Sequence, residues 1–325
     1  MLGCCQHVPG VTTTSLRQAG GRFSGLPARA AGQAPVASVA VSFDDNAQLD
    51  TSQVSDVRGS GGFGIPGGGK TIGGGLAGLL ITVVLGLLGV NGVLPGTSGS
   101  GSDDGRALAE KCAASNPDRF EQTDCRNIAY INDIQQFWAR ALGERYRPAR
   151  TVLFSRAVTT GCGSATSAVG PFYCPADEQV YVDLSFYDEL ASRFGAPGEF
   201  AQAYVLAHEY GHHIQNLTGT ERQVRRLQQN DPGRANRYSV ALELQADCYA
   251  GVWTAHAGGG PVATVSQADI REGLQAAAAV GDDAIQGSDV HSETWTHGSS
   301  AQRQQWFSRG HETGDPDRCD TLTGR

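Results

Sequence analysis

The chain has 325 residues, 40% of them hydrophobic, with 44 glycines and a net charge of −8. That length holds one large domain or two small ones, and so much glycine indicates that part of the chain is not globular. The acidic balance leaves no basic footprint, which excludes nucleic acid as a partner and otherwise speaks only of solubility.

In chain order, residues 1–70 are rich in Gly, Ser, Ala, Gln and Pro, with few aromatics and no sustained periodicity. Such a segment buries too little apolar surface to offset its ordering entropy, so a disordered N-terminal tail is expected. Its opening, MLGCCQHVPG, is unlike the rest of the chain, and Val41 begins VSFDDNAQLD; residues 1–40 are read as a mis-assigned start, with translation beginning at Val41.

Between Lys70 and Asp103 no charged residue occurs, and within that gap Ile72–Leu94 is a 23-residue apolar run. At ~1.5 Å per residue it would extend about 35 Å, enough to cross a hydrocarbon core of roughly 30 Å. A transmembrane helix over 71–94 is therefore expected, with the lipid bilayer as a partner. A buried core helix and a cleaved signal peptide are the alternatives. Gly74, Gly78, Thr82 and Gly86 form a small-residue stripe through which such spans self-associate. Arg58 and Lys70 before the run balance Arg106 and Lys111 after it, so charge does not orient it. Six cysteines beyond it (Cys112, Cys125, Cys162, Cys174, Cys248, Cys319) suggest disulfides, an oxidising compartment and hence an extracytoplasmic domain. Nearest-neighbour pairing, 112 with 125, 162 with 174 and 248 with 319, is the expectation, against buried free thiols.

Residues 95–111, including PGTSGSGSDDG, read as a flexible linker, and 112–325 as the folded domain. Ile128, Ile131, Ile134, Trp138 and Leu142 fall at helical spacing in NIAYINDIQQFWARAL. TVLFSRAV (Thr151–Val158) and QVYVDLSF (Gln179–Phe186) read as strands separated by loops at Gly161, Gly163, Gly170 and Pro171. A helix is predicted over Glu199–Leu217, closed by Gly219, and others over Tyr238–His256, Ser266–Val280 and Ser299–Ser308.

LAHEYGHHIQ places three histidines and a glutamate among aliphatic neighbours, where such groups are costly to bury unless something binds them. On a helix, His208 and His212 share a face and Glu209 sits one step round it. This is the H-E-x-x-H arrangement of zinc hydrolases, in which two imidazoles hold Zn²⁺ and the glutamate handles the proton of a water. The metzincin extension is closed, because Gln215 and Thr218 stand where it needs Gly and His. A third ligand comes instead from ELQAD, where Glu243 and Asp247 share one helix face among apolar neighbours. Glu243 completes a His₂Glu set, one zinc per chain, and Asp247 accepts the far N–H of a ligand histidine. His213 projects ~100° away from His212 and is read as a structural or rim residue.

The sequence resembles the neutral zinc metallopeptidases of bacteria, membrane-anchored proteins with a zincin-like domain. The resemblance rests on TGCGSATSAVGPFYCPADEQVYVDLSFYDEL, FAQAYVLAHEYGHHIQ, ELQADCYAGVW, GDDAIQ and THGSSAQRQQWFSRGHETGDPDRCDT. It runs from about Val41 to the end, weakly before the apolar run and strongly after residue 112. It implies an α+β fold built from the HExxH helix and a small sheet, zinc at His208, His212 and Glu243, and Glu209 as the catalytic residue. The expected reaction is hydrolysis of peptide bonds in a peptide or protein substrate. His297, in THGSS, is the candidate donor to the oxyanion, with His291, Tyr204 and Arg303 as competitors. QVYVDLSF is expected as an edge strand that pairs with extended substrate, against the plainer reading of a central strand. The rival functions are a zinc hydrolase acting on a non-protein amide, and a membrane-tethered binding or scaffold protein whose zinc is only structural.

Overall fold

The structure is a computed structural model that describes residues 41–58, 102–287 and 291–323. In chain order the strands are β1 (Ser42–Phe43), β2 (Val54–Asp56), β3 (Arg150–Phe154), β4 (Ala157–Thr160), β5 (Gly163–Thr166), β6 (Phe172–Cys174), β7 (Gln179–Asp183) and β8 (Val262–Thr264). The helices are α1 (Ser102–Lys111), α2 (Thr123–Leu142), α3 (Phe186–Ser192), α4 (Glu199–Thr218), α5 (Thr220–Asn230), α6 (Ala235–His256), α7 (Gln267–Ala279), α8 (Asp282–Gln286) and α9 (Ser300–Thr313). The fold is α+β with a helical majority.

The apolar stripe of α2 explains its position. Ile128, Ile131, Ile134 and Trp138 are fully buried, and Trp138 meets Tyr249 of α6 edge-on. Each such side chain contributes roughly 1.5–3 kcal/mol through the water it sheds. The main sheet runs β2-β3-β7-β6, with β2, β3 and β7 parallel and β6 antiparallel to β7. Both of its faces are covered. Leu153, Val180 and Val182 join the large core with α2 and α4, while Val152, Phe154 and Tyr181 join a smaller one with Phe172 and Ala165. Burial on both faces is why β3 and β7 read as nearly continuous apolar runs.

The strand predicted over Thr151–Val158 divides at Ser155–Arg156. Arg156 has φ 67° and its amide donates to Asp183, so the chain turns into the β4–β5 hairpin. The helix predicted to close at Gly219 does so, with that glycine left-handed at φ 86°. The helix expected near Ser299 begins with a capping box in which Ser299 and Gln302 bond each other's backbone amides. All three nearest-neighbour cysteine pairs are disulfides: Cys112–Cys125, Cys162–Cys174 and Cys248–Cys319.

Helices α4, α6 and α9 cross closely because glycine removes the side chain at each contact. A Cβ on Gly211 would lie 3.0 Å from the backbone of Ala246, and one on Gly310 would lie 1.9 Å from the Cys248 carbonyl oxygen. These crossings bring the HExxH helix, the ELQAD helix and the C-terminal helix to one point.

Three expectations are corrected. Of the linker expected over 95–111, Ser102–Lys111 is helix α1, with Leu108 buried in the core. Residues 41–58, read as part of a disordered tail, belong to the fold: β1 pairs with β8, β2 with β3, and Val41 and Val54 are buried. Composition missed this because the partners lie far away in sequence. The membrane span is also not supported. Ile72–Leu94 lies outside the described residues, and among these no helix is long and apolar enough to cross a membrane. The long helices carry ionisable groups within their length: Asp124, Arg126 and Asp133 in α2, Glu199 and Glu209 in α4, and Arg237, Glu243 and Asp247 in α6. Single-pass anchoring, and the cell-membrane location built on it, are therefore not supported. The small-residue stripe at Gly74–Gly86 and the start-site reading of residues 1–40 also lie outside the described residues.

Candidate metal centre

His208 and His212 sit one turn apart on α4, and Glu243 reaches them from α6. Their Nε2 atoms are 3.2 Å apart. Glu243 Oε2 lies 3.2 Å from His208 Nε2, and its Oε1 lies 3.5 Å from His212 Nε2. Ligands held at about 2.0–2.1 Å by a tetrahedral zinc stand roughly 3.3 Å from one another. The three donors thus form one face of such a tetrahedron, and among the described residues they are the cluster able to hold a metal ion.

The hydrogen bonds around the rings fit the same role. His208 Nδ1 donates to Asp247 Oδ1 at 2.9 Å, and His212 Nδ1 donates to Gln215 Oε1 at 2.9 Å. With protons on both Nδ1 atoms, the two Nε2 lone pairs face each other and repel unless a cation lies between them. Burial works against a charged His208, but the Asp247 carboxylate outweighs it and moves the imidazole up to about 9. Burial likewise works against a charged Glu243, and His212 and His208 override it, holding the carboxyl well below the usual range. The site as a whole favours positive charge.

Asp247 is fully buried and saturated. Its Oδ1 accepts from Tyr204 Oη at 2.6 Å and Arg303 Nη2 at 2.9 Å, and its Oδ2 accepts from Arg303 Nε at 2.8 Å. Burial raises this carboxyl, but the Arg303 guanidinium outweighs it and holds the group low. Tyr204 and Arg303, two competitors for the oxyanion role, both line the cleft and both hydrogen-bond to Asp247.

Glu209 lines a cleft of about 100 Å³ together with the triad, His297, Gly170, Pro171 and Phe172. Burial lifts its carboxyl above the usual range, against the pull of His208 and His212. His297 reaches the cleft on a loop that Asp282 fastens. The Asp282 carboxylate accepts from the amides of Thr296, His297 and Gly298 at 2.9, 2.7 and 2.9 Å, and lies 3.4 Å from His297 Nδ1. The GDDAIQ and THGSS motifs are therefore two halves of one contact. His291 is exposed and does not line the cleft. His213 is outside the triad, its ring between Tyr173 Oη at 3.0 Å and the Arg147 carbonyl at 2.6 Å.

QVYVDLSF is not at an edge. β7 lies between β3 and β6, and the outer strand beside the cleft is β6, which Cys162–Cys174 ties to the β4–β5 hairpin. Sequence showed the strand but not its neighbours. It also left Gln215 unread except as the residue that closes the metzincin pattern, although it lies three positions beyond a ligand on the same helix, within reach of its ring.

Fold and site together define a mostly helical α+β protein with a buried His/His/Glu cluster fit for a metal ion. The chain belongs to the family described as "Putative neutral zinc metallopeptidase", whose model matches residues 45–322. The uncharacterized protein YpfJ of Escherichia coli (strain K12) is 42% identical over 269 residues, spanning 80% of this chain and 89% of that protein. The uncharacterized protein Rv2575 of Mycobacterium tuberculosis (strain ATCC 25618 / H37Rv) is 47% identical over 228 residues, spanning 66% of this chain and 75% of that one. No solved structure matches the chain at the same standard.

Proposed function

We propose that the protein is a zinc-dependent peptidase that hydrolyses internal peptide bonds. The observation that carries this reading is the donor triangle of His208, His212 and Glu243 opening onto a cleft beside a buried carboxylate that is no part of the triangle. A purely structural zinc site is closed by four protein ligands and has no use for such a neighbour. Bound zinc supplies Lewis acidity, which activates water near neutral pH and polarises the scissile carbonyl.

The chain's own residues do the rest. Glu209, its carboxyl raised by burial, accepts the proton of the attacking water and delivers it to the leaving amine. His297, fastened through Asp282 and lining the same cleft, donates to the oxyanion. Phe172 at the start of the outer strand β6 lines the cleft, so the backbone of an extended peptide pairs there.

The test is cleavage of an unbiased peptide library, with cell-wall fragments in parallel, by wild type and by Glu209→Gln at equal zinc content. Peptide cleavage that falls by about 10²–10⁴-fold in the variant is expected. Cleavage of the non-protein amides alone would assign a different substrate, and equal activity in the two proteins would remove Glu209 from the chemistry.

A further inference from the structure

We propose that Gln215 is the positioning residue for His212, and that the C-terminal segment sets its orientation through an amide relay running from Gln215 to Gln245 to the main chain of Cys319. The inference rests on the metal-binding reading of the site and adds a second support to it.

Gln215 is fully buried and follows His212 by three residues on α4. Its Oε1 accepts from His212 Nδ1 at 2.9 Å. Its Nε2 donates to the Leu242 carbonyl at 2.6 Å and to Gln245 Oε1 at 3.2 Å. Gln245, also buried, donates in turn to the Cys319 carbonyl at 2.8 Å.

The direction of this relay is not free. The carbonyls of Leu242 and Cys319 can only accept, so each amide must turn its NH₂ toward them and its oxygen back toward the metal site. Gln215 therefore presents an acceptor to His212, which must carry its proton on Nδ1 and keep the Nε2 lone pair for the cation. The far end is fixed as well. Cys319 is disulfide-bonded to Cys248, and Thr321 Oγ1 donates to the Ala241 carbonyl at 2.5 Å. An amide filling space would not require a polarity imposed from both ends.

The experiment measures zinc affinity by competition with a chromophoric chelator, on the full-length protein, for wild type, Gln215→Met, Gln215→Glu and Gln245→Met. Circular dichroism and melting of the metal-free forms run alongside. Gln215→Met removes the acceptor at similar size, and a loss of about 10–100-fold in affinity is expected. Gln215→Glu keeps an acceptor for His212 but places an anion against the Leu242 carbonyl, so it should melt lower while retaining near wild-type affinity. Gln245→Met should lose affinity in the same direction by less. A folded Gln215→Met with wild-type affinity overturns the proposal. So does a set in which affinity merely follows melting temperature, the mark of a structural role. Should Gln215→Met fail to fold, unchanged affinity in Gln245→Met overturns it instead. A wild type that binds zinc while the variants equal it refutes the relay alone; a wild type that binds none refutes the metal reading and the relay together.

Discussion

The two flanks of the candidate metal centre hold chemically identical rings by opposite means. On the His208 side the partner is an anion: Asp247 is fully buried and matched by the guanidinium of Arg303 and the hydroxyl of Tyr204. On the His212 side the partner is neutral, an amide chain that ends on main-chain carbonyls. Asp247 and Arg303 cancel each other's charge, so neither flank offsets the excess positive charge of a cation held by two imidazoles and one carboxylate. A second anion would demand a second buried cation. Both flanks therefore fix geometry, one through neutral amides and the other through a buried ion pair.

Arg303→Met is the strongest way to break this contrast. It leaves Asp247 buried without its guanidinium, and urea unfolding of the metal-free protein should show a loss of about 3–5 kcal/mol. Breaking the neutral relay should cost only about 1–3 kcal/mol, the penalty of an unsatisfied buried amide. Equal losses on the two sides would erase the distinction.

Asp282 sharpens it from a third direction, since this buried carboxylate is held by three main-chain amides and no guanidinium. Burial raises its carboxyl, and the hydrogen bonds from His297 and the following amides override that, leaving it below its ordinary value. A carboxyl lowered in the folded state contributes stability that is complete above its unfolded value and is lost as the pH falls through the folded one. Asp282→Asn should therefore cost about 1.5–3 kcal/mol near neutral pH, with the difference closing as acid protonates the wild type. A difference independent of pH would show that shape, and not charge, holds the 296–298 loop.

Much of the centre was legible because its pieces are local. His208, Glu209 and His212 lie within one turn, and Glu243 with Asp247 within another, so helical spacing alone placed each set on a common face. What joins the pieces was not legible. Arg303 meets Asp247 across 56 residues, and Gln245 meets Cys319 across 74, distances that no pattern of period 3.6 encodes. The same blindness covers the sheet. Alternation and apolar runs identified β7 as a strand, but whether it lies at an edge depends on β6 folding back beside it. The segment from Val41 to Arg58 looked too polar to order itself. It does not: Asn132 of α2 accepts from the Asp50 amide and donates to Gln53, supplying what the segment lacks.

The most direct test of the account is the metal content of the purified full-length protein after zinc loading and removal of excess ion, by elemental analysis, for wild type and Glu243→Ala. One zinc per chain in the wild type, falling toward none in the variant, is expected. A wild type that retains no zinc, or a Glu243→Ala protein that retains it undiminished, would contradict a centre built on His208, His212 and Glu243.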